Sequence, residues 1–124
     1  MRGHPGDKGT KDYLRPQVLL KKIGMLKNVR LSSNANFIDD LKNCWTVVNH
    51  NSSPTIGAAI EGFPVFVTDP QRSQCYDIAN TDLSKIENPD LPDRQPWVER
   101  ISMFHWNFDE IQSGQCWEHM KKYV

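Results

Sequence analysis

The sequence predicts an α/β fold, a short parallel sheet flanked by helices with further helices at the C-terminal end. Three observations carry this expectation. Short apolar segments alternate with segments whose apolar residues recur at helical spacing. The apolar runs Trp45–Val48 and Pro64–Thr68 enclose a small-residue helical segment, and strands joined through a helix run parallel with right-handed crossovers. The 124 residues are 38% hydrophobic and include four tryptophans and five phenylalanines, enough bulk for one small domain with a real core.

The elements follow in order. Residues 17–27 place Val18, Leu19, Leu20, Ile23 and Leu26 at helical spacing, interrupted by Gly24. Val29-Arg30-Leu31 reads as a short strand. Residues 33–42 repeat the helical pattern through Phe37, Ile38 and Leu41, with Ser33, Asn34 or Asn36 as the cap. Trp45–Val48 lacks polar alternation and reads as a strand buried on both faces. Thr55–Glu61 is a short helix, small-faced at Gly57, Ala58 and Ala59, that stops at Gly62. Pro64–Thr68 is the next strand, and Pro70–Ala79 a further helix. Residues 80–95 carry Pro89 and Pro92 among acids and read as a long surface loop. Beyond Pro96 the pattern gives two helices, Trp97–Phe104 and Phe108–Lys122. The second opens on Asn107 and Glu110 at capping-box spacing, although that box prefers Ser or Thr at its first position. There is no internal repeat. The organisation is therefore a core over residues 1–79 with a truncated N-terminal strand, a Pro/acid-rich loop over 80–96, and C-terminal helices over 97–124 that pack on the core.

Composition narrows the function classes. Mean hydropathy is −0.62, and no apolar run approaches the ~20 residues of a membrane span. Residues 1–4 lead into polar sequence, so no signal peptide is expected. Cys44, Cys75 and Cys116 are odd in number and widely spaced. That pattern argues against a disulfide framework or zinc knuckle and fits a reducing cytosol. The net charge is zero but segregated. Residues 1–30 hold eight of the fifteen Lys and Arg residues, and residues 77–110 hold eight acids. A basic N-terminal third favours an anionic ligand, and scattered solvated lysines are the other reading. Aromatic residues are not interleaved with the basic ones, so no nucleic-acid partner is expected.

Asn49-His50-Asn51-Ser52-Ser53-Pro54 is the most informative stretch. Strand, hydroxyl-rich turn and helix together form an anion site, because a helix N-terminus presents unpaired N–H groups and partial positive charge. Ser52 or Ser53 caps the helix, and Pro54 suits its first turn. The natural guest is a phosphate or diphosphate; the other reading is an ordinary capped helix after a buried strand. In parallel sheets ligands bind beyond the carboxyl ends of the strands. The turn Asn49–Pro54 lies there, as does Thr68-Asp69-Pro70. His4-Pro5 joins the same row if Met1–Gly3 ends a strand, which makes the chain read as the C-terminal part of a longer protein.

Several of these residues resemble the motifs of a known family. Arg2-Gly3-His4-Pro5, then Asn51-Ser52-Ser53, then Ala58-Ala59-Ile60-Glu61-Gly62-Phe63-Pro64-Val65 resemble the C-terminal nucleotide-sugar-binding half of GT-B glycosyltransferases. The similarity is to bacterial capsule polysaccharide biosynthesis proteins, including Kdo-transferase-like enzymes, and to bacterial sialyltransferases. Those families share an HP motif and an SS motif that contact the CMP part of a CMP-activated sugar. Residues 106–114 also resemble the terminal helix of the capsule families. The resemblance spans essentially the whole chain and implies that residues 1–79 are a Rossmann-like nucleotide-binding core.

The resemblance implies a function. The donor is a nucleotide sugar, a CMP-sugar by the HP and SS pair, with no separate cofactor. His4 contacts the phosphate or acts as general acid, with Pro5 stiffening its turn. Ser52, Ser53 and Asn51 bind the substrate, and His50 is a secondary candidate. Preorganised donors at this point stabilise the charge that develops on the leaving phosphate. The catalytic base and the saccharide acceptor site of these families lie in an N-terminal half not represented here. The chain alone is then expected to transfer sugar poorly and, with an apolar face uncovered, to associate. Peripheral membrane association, at the cytoplasmic face, would come through the full-length protein. A non-catalytic nucleotide- or phosphate-binding domain and an interaction module of a polysaccharide-assembly complex are the alternatives. Glu61 reads as a solvent or packing residue, and Asp69 as a turn former before Pro70 that can also touch the sugar or base. Trp97, Trp106 and Trp117 read as core. His105 and His119 lack metal-ligand spacing, so no metal site is expected.

Overall fold

The structure is a computed structural model that describes residue 22, residues 25–30, residue 32 and residues 36–124. The chain divides into two compact units, Met1–Asn43 and Cys44–Val124. In the first, helix α1 spans Phe37–Leu41 and is capped by Asn36, whose side chain accepts from the Ile38 amide. Of the three caps offered by the sequence, Asn36 serves; Ser33 and Asn34 lie outside the described residues. Ser32 Oγ donates to both carboxylate oxygens of Asp40, at 2.6 and 2.7 Å. Val29 and Arg30 carry no strand, and most of the helix expected over 17–27 lies outside the described residues.

The second unit is α/β, a short two-stranded parallel sheet flanked by helices. Strand β1 (Val47–Asn49) pairs with β2 (Val65–Val67) in the register Val47–Val65, Val48–Phe66, Asn49–Val67. Helix α2 (Pro54–Ile60) connects them. Pro54 sits at its first position, where a missing N–H costs nothing. Its end is a complete Schellman motif. Gly62 takes φ +103°, its amide reaches Ala59 O, and the Phe63 amide reaches Ala58 O at 3.0 Å. Arg94 closes over the same end, donating from Nη1 to Ala59 O at 3.0 Å.

β2 is the buried spine. Val65, Phe66 and Val67 are all buried, with Thr55, Ala58, Ala59, Cys75, Ile78 and Trp97 completing the core of this unit. The small residues of α2 let its backbone approach the sheet. β1 corrects the expectation of a strand buried on both faces. Val48 is 45% exposed and Trp45 65% exposed, because β1 is paired on one side and presents one face to solvent. Trp45 still anchors the strand's entry, donating from Nε1 to Ile86 O at 3.0 Å.

After β2 the sequence expectation of a helix over Pro70–Ala79 fails. Pro70–Arg72 forms one 3₁₀ turn, Ser73 becomes extended, and turns follow. Ser73 Oγ accepts from the Cys75 amide, the local side-chain bond that competes with helix formation. The chain then returns to the sheet. Asn80 bridges Phe66 in parallel, its N–H donating to Val65 O at 2.8 Å and its carbonyl accepting from Val67 N at 3.0 Å. Its side chain holds both backbone groups of Asp90, at 2.9 Å each. Asn80 is therefore a buried sheet residue and not the start of a surface loop. Leu83–Lys85 is a further 3₁₀ turn.

Helix α3 (Gln95–Ser102) covers the core with Trp97, which is 2% exposed and donates from Nε1 to Gln74 O at 2.9 Å. Arg100 pairs with Asp77 at 2.9 Å. The single helix expected over Phe108–Lys122 is two, α4 (Phe108–Gln112) and α5 (Gln115–Met120). Gly114 separates them in the left-handed conformation, φ +82°. The capping box that opens α4 is complete: Asn107 accepts from the Glu110 amide at 2.9 Å, and Glu110 accepts from the Asn107 amide at 2.8 Å. Trp97 is core as expected; Trp106 is half-buried against His119, and Trp117 is 60% exposed, so it is not a core residue. α4 and α5 are too short to turn every aromatic inward.

Two outcomes follow from this architecture. Gly114→Ala meets no steric contact at Cβ but retains the left-handed backbone. It should lower stability by about 1 kcal/mol in urea unfolding, through backbone conformation alone. Burial pushes the Cys75 thiol from 9.0 up to about 11, with the Ser73 hydrogen bond opposing. The native state therefore keeps that proton longer than the unfolded chain. Stability from Cys75 should be complete below the ordinary thiol range and fall as pH rises from about 9 to 11. Urea midpoints across that window should fall more steeply for the natural chain than for Cys75→Ala.

Candidate functional site

The parallel pairing does not stop where the strands end. Thr68 N donates to Asn49 O at 3.1 Å, and Asp69 N donates to His50 O at 3.0 Å. These two bonds carry the ladder beyond both strands. They bring the turn after β1 beside the turn after β2, at the carboxyl edge of the sheet. Ligands of parallel sheets bind at such an edge.

Side chains from the two turns meet there. His50 Nδ1 lies 2.8 Å from Thr68 Oγ1, and His50 Nε2 lies 3.7 Å from Asp69 Oδ2. Asn51 Nδ2 donates to the same Asp69 oxygen at 3.1 Å. Asn49 Oδ1 accepts from the Ser52 amide at 3.2 Å, which shapes the turn into α2. His50 and Thr68 are exposed, and Asp69 is half-buried. The sequence ranked His50 second and read Asp69 mainly as a turn former. Their common partnership is set by strand register, which is invisible in a local motif. The sequence reading placed the Thr68-Asp69-Pro70 turn at this edge, and the register adds the side-chain contact of Thr68 with His50.

Ser52 and Ser53 lie in the turn as expected, both exposed. Their predicted capping role is corrected. Ser53 occupies the cap position with helical backbone angles, φ −57° and ψ −32°, and its side chain caps nothing. An Oγ caps from extended backbone; from αR it points away from the first-turn amides. The first-turn amides are also committed, Thr55 N to Ser52 O at 3.2 Å and Ile56 N to Ser53 O at 2.9 Å. Pro54 has no N–H. The serine hydroxyls at this turn make no hydrogen bond among the described residues, whereas the Ser52, Thr55 and Ile56 amides are committed. Thr55 Oγ1, in the first turn of α2, is buried without a partner among the described residues.

His4 and Pro5 lie outside the described residues, as does Arg2. Glu61 closes the opposite end of α2 and is exposed. A cavity of ≈ 210 Å³ opens elsewhere, between the turns of residues 77–82 and the loop at Lys85, Asp90 and Pro92. None of the serine-turn residues lines it, and Lys85 is already paired with Asp90 at 3.0 Å. Among the described residues, no group of three His, Cys, Asp or Glu side chains is arranged to hold a metal ion. Nor is any described helix long and apolar enough to cross a membrane. Compared with protein-family models, with curated proteins and with solved structures, the chain finds no match.

Asp69 ties the two turns by side chain through Asn51, beside the His50–Thr68 contact. Asp69→Ala should leave Asn51 without its acceptor and His50 without the facing carboxylate. It should lower urea stability by about 1–2 kcal/mol, with Asp69→Asn recovering part of the loss.

Proposed function

We propose that this chain is the nucleotide-sugar-binding half of a GT-B glycosyltransferase acting in capsule or surface polysaccharide synthesis, with a CMP-sugar as donor. The observation that carries the reading is the convergence of Asn49–Ser53 and Thr68–Asp69 at one carboxyl edge, with two uncommitted serine hydroxyls in the turn. The HP and SS motifs and their order along the chain supply the CMP assignment. Ser52 and Ser53 hold the phosphate through their hydroxyls, with Asn51 beside them. His4, stiffened by Pro5, contacts the same phosphate or protonates it as it leaves.

The charges at the edge agree with that orientation. Asp69 is the carboxylate of the site and stands beside His50 and Asn51. A phosphate is repelled by it, so the phosphate belongs on the serine side. A glycosyl carbon gains positive character in the transition state, and Asp69 favours it. The saccharide acceptor is supplied through a further domain of the full-length protein.

Calorimetric titration of the purified chain with CMP, UDP and GDP tests the reading. CMP should bind selectively, and Ser52→Ala and Ser53→Ala should each weaken it roughly ten-fold, the worth of one hydrogen bond to a charged group. His4→Ala should weaken it as well. A folded chain that takes up none of the three nucleotides would sink the proposal.

A further inference from the structure

The pairing of Thr68, His50 and Asp69 has the order of an activated nucleophile. A hydroxyl lies at hydrogen-bond distance from one imidazole nitrogen, 2.8 Å. A carboxylate faces the other nitrogen at 3.7 Å, within ion-pair reach. Asn51 holds that carboxylate at 3.1 Å, which limits its rotation. The carboxylate favours the tautomer with its proton on Nε2. Nδ1 then presents its lone pair to the Thr68 hydroxyl. Base and nucleophile come from different turns, and the Thr68 and Asp69 amide bonds to Asn49 and His50 fix their spacing. Nucleophile, base and orienting acid are recognised by this geometry and not by their order in sequence.

We propose that Thr68 is a hydroxyl nucleophile, with His50 as its general base and Asp69 as a positioning residue, and that it accepts the glycosyl group of the sugar donor. The inference rests on the nucleotide-sugar reading for the identity of the donor, and on geometry alone for the nucleophile. In the step, Thr68 Oγ1 forms a bond to the anomeric carbon. The bond from that carbon to the phosphate oxygen breaks, and its electron pair leaves with CMP. The Thr68 proton passes to His50 Nδ1, and from there to solvent. Asp69 stabilises the imidazolium as it forms. The product is an O-glycoside of Thr68, formed together with free CMP and one proton. Thr68 and His50 are both exposed, so a donor seated at Ser52 and Ser53 has open access to them.

Two probes separate the nucleophile from the donor. The first is p-nitrophenyl acetate, which carries no nucleotide. Intact-mass and peptide analysis of the natural chain should show acetyl on Thr68. Thr68→Val should abolish that label, His50→Gln should slow it ~10²-fold or more, and Asp69→Asn should slow it less, with a shifted pH profile. Circular dichroism of each variant establishes that it is folded. The second probe is CMP-N-acetylneuraminate, which should add one sugar mass at Thr68 and release CMP. Acetylation at Thr68 in a chain that binds no nucleotide would uphold the nucleophile and reject the donor. Acetyl found only on lysines, or a Thr68 rate unchanged in His50→Gln, would overturn the proposal. So would CMP-selective binding with no modification of Thr68 by either probe.

Discussion

β2 has no exposed side, and that constraint organises residues 44–124. Val65, Phe66 and Val67 are buried on both faces of a strand only three residues long. Such a strand must be paired on both edges and covered on both faces, or its amides and its apolar surface are left without partners. β1 takes one edge and Asn80 the other. The small residues of α2 contribute to the cover, and Trp97 is buried in the same core. The polar atoms brought inside by this packing are mostly satisfied by backbone, as with Trp97 Nε1 on Gln74 O and Asn80 on Asp90. Burying them is tolerable for that reason.

The site is a consequence of the same pairing. Parallel strands in register finish at the same end, so the turns that leave them are neighbours. Two backbone bonds extend the ladder by Asn49–Thr68 and His50–Asp69 and hold those turns together. The polar side chains at this edge then have little freedom in choosing partners. His50 meets Thr68 and Asp69, and Asp69 also meets Asn51. The serine hydroxyls stand apart from this network. The edge thus has a committed side carrying a carboxylate and an uncommitted side carrying hydroxyls.

The C-terminal helices obey a different balance. α3 contributes one deeply buried residue, Trp97, and ties itself down with polar contacts from Arg94 and Arg100. α4 and α5 are held by their caps and by each other more than by the core. Phe108, Trp117 and Tyr123 remain largely exposed. Trp106, His119 and Tyr123 form a chain of tilted rings with centroids 5.2 and 5.5 Å apart. Local capping energies of this kind fix helix ends well and helix orientation poorly.

Residue chemistry was sufficient wherever one local rule acted without competition. Gly62 ends α2 because only glycine takes the left-handed backbone cheaply. Asn107 and Glu110 start α4 by satisfying each other's amides. Pro54 opens α2, and the apolar runs around Val47 and Phe66 become strands. The serine turn was legible as well, as a hydroxyl-rich bend between strand and helix. Prediction failed where local and long-range demands met. The apolar content of Trp45–Val48 could not reveal that β1 keeps an exposed face, because exposure depends on which neighbours arrive. The segment 70–79 carries helical spacing, yet Ser73 binds the Cys75 amide and the chain turns back to place Asn80 beside Phe66. The meeting of His50 with Thr68 and Asp69, residues eighteen and nineteen positions away, was equally hidden. Turn and cap chemistry act within a few residues and can be read along the chain, whereas strand register and burial are properties of distant segments that exist only once those segments pack.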